Sequence, residues 1–231
     1  MKRSMKSIGV LSLALLFSGC ATPVKNTLTR DAASLALTEK SVVLITISSS
    51  NSYKPDYPTA PDVLHVEKPN AASKKDRFNF LCDDDCKSFA GAGGRFLFRV
   101  ELEPGEYWLQ GVTGHAGSGF MRGMFTAPLH IPFTVQAMSV GYGGNLNMTL
   151  RERKGEEYRA GSAIPILQQN ATGIYGGTFD VVVEDRHDAD IGPIRSALPA
   201  LATVDIRRTP LPPYDRAAAE AWWKTATEPN P

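Results

Sequence analysis

Residues 95–112 constrain the fold of this chain more than any other stretch. They read Arg-Phe-Leu-Phe-Arg-Val-Glu-Leu-Glu-Pro-Gly-Glu-Tyr-Trp-Leu-Gln-Gly-Val. In the first half, Phe96, Phe98, Val100 and Leu102 fall on one face, against Arg95, Arg99, Glu101 and Glu103; Leu97 is the exception. In the second half, Tyr107 and Leu109 share a face opposite Glu106, Trp108 and Gln110. A period of two with one apolar side marks a half-buried strand. Between the runs, Pro104 presets its own φ and Gly105 admits a positive one, the pair that a type II turn asks for. The expectation is a strand–turn–strand hairpin at the heart of a β domain, with Phe98 and Tyr107 buried on its inner face.

Further strands are legible on both sides. Residues 41–48, Ser-Val-Val-Leu-Ile-Thr-Ile-Ser, hold four consecutive aliphatics and read as a buried first strand. Residues 63–67 make a short second one. Residues 131–136 and 139–150 read as another strand pair, with a bulge or bend at Gly143-Gly144. In residues 178–184, Phe179, Val181 and Val183 share a face. Residues 49–61 carry Pro55, Pro58 and Pro61 and read as loop. The Gly-rich residues 111–123 read as a flexible connection that leaves His115 exposed; they match neither a phosphate loop nor a dinucleotide fingerprint.

After residue 187 the pattern becomes helical. Asp188 or Asp190 can cap a helix bearing Ile191, Ile194 and Leu198, with Pro193 in its first turn. Pro210, Pro212 and Pro213 form a stiff linker, and Asp215 caps a last helix over residues 216–226 whose Trp222-Trp223 pair is expected to dock on the domain, the alternative being the membrane interface. About six to eight short strands separated by turn signals define a mainly β chain, an antiparallel β-sandwich with short C-terminal helical additions. The sandwich spans residues 41–209, and residues 210–231 are the Pro-rich linker and C-terminal helix. A hydrophobic share of 42% is enough for a core.

The N-terminus reads as an address. Lys2, Arg3 and Lys6 precede a short apolar run, residues 8–17, that ends in Leu16-Phe17-Ser18-Gly19-Cys20. A basic head, an apolar segment too short to span a bilayer and small residues before a cleavage point describe a secretory signal peptide. The stretch resembles a bacterial lipobox, with Phe17 where that pattern prefers Leu. The resemblance implies a signal peptide over residues 1–19, lipidation of Cys20 and a lipidated tether over residues 20–40, with a short helix or an extended arm at residues 29–37. Ala21 after the Cys implies the outer membrane, with the domain lipid-anchored and facing the periplasm. Removing Lys2, Arg3 and Lys6 takes the formal charge from +1 to −2, which argues against a nucleic-acid partner.

Export leaves Cys82 and Cys86 as an isolated pair in Leu-Cys-Asp-Asp-Asp-Cys-Lys, for which a disulfide is the expected state. The alternative, two thiolates with Asp83 or Asp85 on a metal, lacks the remaining ligands of a zinc site and the mid-loop Gly of a calcium loop. No metal and no cofactor is expected.

Residues 100–109, Val-Glu-Leu-Glu-Pro-Gly-Glu-Tyr-Trp-Leu, resemble the turn of prealbumin-like and carboxypeptidase-regulatory-like β-sandwiches. The resemblance implies structural roles only: Pro104 and Gly105 make the turn and Tyr107 packs in the core. Catalytic constellations are thin. His65, His115, His130 and His187 show no i, i+4 pairing, and the densest acidic run, Glu-Asp-Arg-His-Asp-Ala-Asp at 184–190, is explained as a strand end leading into a helix. The sequence points to a lipid-anchored, non-catalytic binding or scaffolding module, attached to the membrane by acyl chains and meeting an envelope protein partner. The alternative is a periplasmic hydrolase using the cluster at 184–190 or Asp83 and Asp85.

Overall fold

The computed structural model describes residues 22–24, 26–87, 89, 94–162, 164 and 167–227. Ten strands are present among them: β1 (Thr22–Val24), β2 (Ser41–Asn51), β3 (Thr59–Glu67), β4 (Arg77–Leu81), β5 (Arg95–Leu102), β6 (Gly105–Ser118), β7 (Met121–Val135), β8 (Val140–Glu152), β9 (Gly177–Glu184) and β10 (Ile206–Arg208). The helices are α1 (Asp84–Lys87), α2 (Leu167–Ala171), α3 (His187–Ala197) and α4 (Arg216–Thr227), with 3-10 turns at Lys74–Asp76 and Pro199–Leu201. One sheet, called A here, has the order β1-β4-β3-β6-β7; the other, B, has the order β10-β8-β2-β5, with β9 also on β8. The two pack face to face over a shared apolar core. The chain is therefore a mainly β sandwich with short helical additions. Five of the eight pairings are antiparallel; β1–β4, β2–β8 and β8–β10 are parallel.

The alternation of residues 95–112 buries Phe98 and Tyr107 as expected, but the two strands do not form a hairpin. β5 pairs with β2 in sheet B, whereas β6 pairs with β3 and β7 in sheet A. Glu103 and Pro104 carry the chain across the end of the sandwich from one sheet to the other. Gly105 has φ +155°, far from the value of about +80° that a type II turn places there. The same holds for residues 131–150: β7 and β8 are consecutive but lie in different sheets.

β2 carries four aliphatics in a row because both of its faces are covered. Val43, Ile45 and Ile47 enter the inter-sheet core. Val42 and Leu44 enter a second apolar cluster on the outer face of sheet B, with Leu97, Tyr142, Ile194 and Leu201. β8 changes face midway. Val140 and Tyr142 point outward, while Leu146, Met148 and Leu150 point into the core. All five are even-numbered, so one extra residue must intervene. The register shifts between Leu44 and Ile45 of β2, which pair with Tyr142 and Gly144. Gly144 stands at φ +106°, which its lack of a side chain permits.

Residues 111–123 are not a loop. β6 and β7 run through them as a long hairpin that turns at Gly119 and Phe120. The glycines serve close approach instead: a Cβ on Gly114 would lie 2.2 Å from the Ala60 carbonyl oxygen. Residues 49–61 are likewise partly strand, since β3 begins at Thr59 and accommodates Pro61 at a register irregularity.

α3 forms where expected, but neither Asp188 nor Asp190 caps it; Arg186 occupies that position and makes no side-chain cap. Pro193 lies beyond the first turn. Pro193 and Ala189, whose carbonyl loses its helical partner, are both exposed, so water can serve that oxygen. α4 is capped as expected, with the Asp215 carboxylate accepting from the Ala218 N–H at 3.0 Å.

Candidate functional site

The face of β5 that carries Arg95, Arg99 and Glu101 reads from sequence as solvent-facing. It is buried. α3 and the 3-10 turn after it cover one part, around Leu97; the disulfide loop and the arm over residues 26–40 cover the rest. The arm contains no helix among its described residues; it turns at Arg30 and Asp31, where the Ala32 N–H donates to the Thr29 carbonyl at 3.1 Å. The Arg99 side chain has no exposed surface. A cation can occupy such a place only if it is paired. Asp83 accepts a hydrogen bond from Arg99 Nη2, and Asp85 lies 3.6 Å from Arg99 Nη1.

Both acids belong to the loop closed by Cys82 and Cys86, which form the expected disulfide with Cα atoms 5.1 Å apart. Burial pushes the Asp83 carboxyl up, but bonds from Asn26, from the Cys86 N–H and from Arg99 outweigh it, leaving the pKa below the ordinary value. The same loop grips the arm: Asn26 Nδ2 donates to Asp83 at 3.0 Å and the Arg30 N–H to Asp85 at 2.9 Å. Glu101 grips it again, accepting from the Thr27 and Leu28 N–H groups at 2.7 and 2.9 Å. The disulfide loop thus clasps the chain that enters the domain.

The acidic run at 184–190 is the candidate of the hydrolase reading. Asp190 is fully buried. Its Oδ1 accepts from Arg95 at 2.6 Å, and its Oδ2 from Tyr142 at 2.5 Å and Thr46 at 2.9 Å. Burial raises its pKa, and these three donors more than reverse that, so it sits below the usual carboxylate range. The Tyr142 phenol is held well above its ordinary value by burial and by the Asp190 bond. The remaining members diverge. Glu184 accepts from Asn145 and Asn147 at 3.1 and 3.2 Å. Asp185 and Asp188 pair with Arg208 at 3.3 and 2.6 Å. His187 Nε2 donates to the Ile206 carbonyl at 3.0 Å. Each group ties α3 or the end of β9 to sheet B, and the acids turn to different partners.

At the corner between β5 and β6, the Tyr107 hydroxyl donates to the Glu103 carbonyl at 3.0 Å, bracing Pro104 and Gly105 from within. Its ring meets Phe78 edge-on at 6.0 Å and stacks with Phe133 at 5.8 Å. Tyr107 packs in the core, while Pro104 and Gly105 form a corner between the sheets instead of the expected hairpin turn.

Three of the four histidines lie on the outer face of sheet A. His115 is not an exposed loop residue; it sits in β6 with its Nδ1 2.8 Å from Asp62. His65 bridges Asn79 and Thr113 at 2.8 and 2.9 Å, and burial lowers its pKa. His130 is sandwiched between Trp108 and Trp222, with centroids at 4.1 and 5.1 Å and near-parallel planes. Trp222 therefore docks α4 on the domain, and Trp223 packs against the core beside it. Burial lowers the His130 pKa, with Glu67 opposing.

Cys20 lies outside the described residues. Among the described residues, no group of three His, Cys, Asp or Glu side chains is placed to hold a metal ion, and no helix is long and apolar enough to cross a membrane. No protein family, no curated protein and no solved structure matches the chain.

Proposed function

We propose that this chain is a lipid-anchored envelope protein, attached through Cys20 to the outer membrane with its sandwich facing the periplasm, and that the sandwich binds or scaffolds another envelope component without catalysing a reaction. The Leu-Phe-Ser-Gly-Cys sequence after a short apolar run supports the anchor. The observation that carries the non-catalytic reading is the state of Asp190. It is the fully buried acid of the run at 184–190, the densest acidic stretch on which the hydrolase reading draws, and three donors already occupy its two oxygens. A general acid or base needs a carboxyl that faces its substrate and titrates near the working pH. Asp190 faces inward, and its donors hold it ionised. The Tyr107 brace across the β5–β6 corner supports kinship with prealbumin-like sandwiches, whose matching residues are architectural.

Asp185→Asn, His187→Ala and Asp188→Asn, made singly, test this in cells where loss of the protein has a phenotype. All three are expected to restore function. Loss of function in any one of them, with folding and membrane attachment intact, would instead support the hydrolase.

A further inference from the structure

The path of the chain out of the proposed anchor fixes which way the domain faces. Thr22 opens β1 two residues after Cys20. At about 3.6 Å per extended residue, two residues of chain can reach at most roughly 7 Å. β1 runs parallel to β4, with Thr22 beside Phe78 and Val24 beside Phe80. The chain therefore enters from the end of the sandwich where β4 begins, the end that carries the Lys74–Asp76 turn. The starts of β2, β6 and β8 and the ends of β3, β5 and β7 lie at that same end. A cleft of about 730 Å³ opens there, with Val24, Lys40, Lys68, Lys75, Phe78 and Tyr107 in its walls.

The arm beyond β1 is not a free leash. Asn26, Thr27, Leu28 and Arg30 are bonded to Asp83, Glu101 and Asp85. A lipidated tether over residues 20–40 would let the domain stand off the bilayer only if those bonds and the β1–β4 pairing were broken.

We infer that this end of the sandwich is a membrane-apposed face, seated on the phospholipid headgroup layer; the inference rests on acylation of Cys20. The charges at this end are nearly balanced. Lys40, Lys68, Lys74, Lys75 and Arg77 stand among Glu39, Glu67, Asp76, Glu103 and Glu106. Such a mixed ring suits a zwitterionic headgroup layer, with acyl chains supplying the hold and charge supplying little. The opposite end then faces away from the membrane. β6 is 14 residues long, about 45 Å at the usual rise per residue. The fully exposed Phe120 at the β6–β7 turn is thereby presented to the compartment at roughly that height.

The test uses the chain from residue 20 onward with its disulfide intact, coupled through the Cys20 thiol to a maleimide phospholipid in phosphatidylcholine–phosphatidylethanolamine vesicles. A membrane-impermeant amine reagent then labels lysines, and mass spectrometry reads each site. Lys40, Lys68 and Lys75 are expected to react at least about fivefold more slowly on vesicles than after detergent release. Lys54 and Lys154, which follow β2 and β8 at the far end, are expected to keep their rates. Equal rates at both ends, or protection of Lys54 and Lys154 instead, would overturn the inference. Coupling supplies the anchor whatever a cell does to Cys20, so that outcome indicts the geometry alone. Failure of the acylation reading shows separately, as absence of fatty-acid label on Cys20.

Discussion

Substituting Asp190 by Ala should destabilise the domain by an amount the structure bounds. The carboxylate is fully buried and receives Arg95, Tyr142 and Thr46. Without it, the Arg95 guanidinium loses its counter-charge while 21% of that side chain remains exposed. Removing one partner of a buried ion pair costs about 3–5 kcal/mol. Because Arg95 keeps some access to water, the lower end, about 3 kcal/mol, is expected. In a domain of this size each kcal/mol lowers the melting temperature by about 2–4 °C, so the drop should be about 6–12 °C. Thermal unfolding followed by circular dichroism, with the disulfide intact, measures it. Replacing both partners, with Arg95→Met and Asp190→Leu, should recover much of the loss, because no buried charge is left alone. A melting temperature for Asp190→Ala within about 2 °C of wild type would refute the assignment of Asp190 as a structural pin.

Intact mass after alkylation without reductant should show Cys82 and Cys86 both protected; two adducts on the folded protein would contradict the disulfide. Because the closed loop is short, Cys82→Ser with Cys86→Ser should cost only about 2 kcal/mol by chain entropy, read from denaturant midpoints; an unchanged midpoint contradicts this. Phe98→Ala should cost about 3–5 kcal/mol, since the ring is buried between the sheets; an unchanged melting temperature would refute the strand register. Asp83 and Asp190 have folded pKa values below their ordinary 3.8. A depressed folded pKa stabilises fully above the unfolded value and loses that contribution as pH falls through the folded one. The melting temperature should therefore hold between about pH 7 and 5 and fall below about pH 4, and Asp190→Ala should shallow that acid limb. A wild-type midpoint unchanged between pH 5 and 3 would contradict both assignments.

The strands were legible because alternation reports which side chains are buried. It does not report which strand lies alongside, so residues 95–112 read as a hairpin although Pro104 joins two sheets. A short corner and a hairpin turn use the same residues. The buried charges were illegible for a related reason. Arg99 and Arg95 find their partners Asp83 and Asp190 at separations of 16 and 95 residues. No local pattern announces such pairs, and charges on a strand are usually solvated. Leu97, the one aliphatic on that face, was the local sign that something covers it. Gly111, Gly114 and Gly117 misled because glycine signals two things, freedom and absence of bulk, and here the second applies. The anchor was the most legible functional feature, since a lipobox is a local sequence pattern.

Acylation of Cys20 tests the account most directly, because the proposed location, orientation and scaffolding role all descend from it. Cells expressing the wild-type chain or Cys20→Ser would be fed a labelled fatty acid, and the protein recovered from separated inner and outer membranes. The wild type is expected to carry the label and to fractionate with the outer membrane, and Cys20→Ser to lose both. Equal label on the two chains, or a wild-type chain that takes up none, would contradict the account.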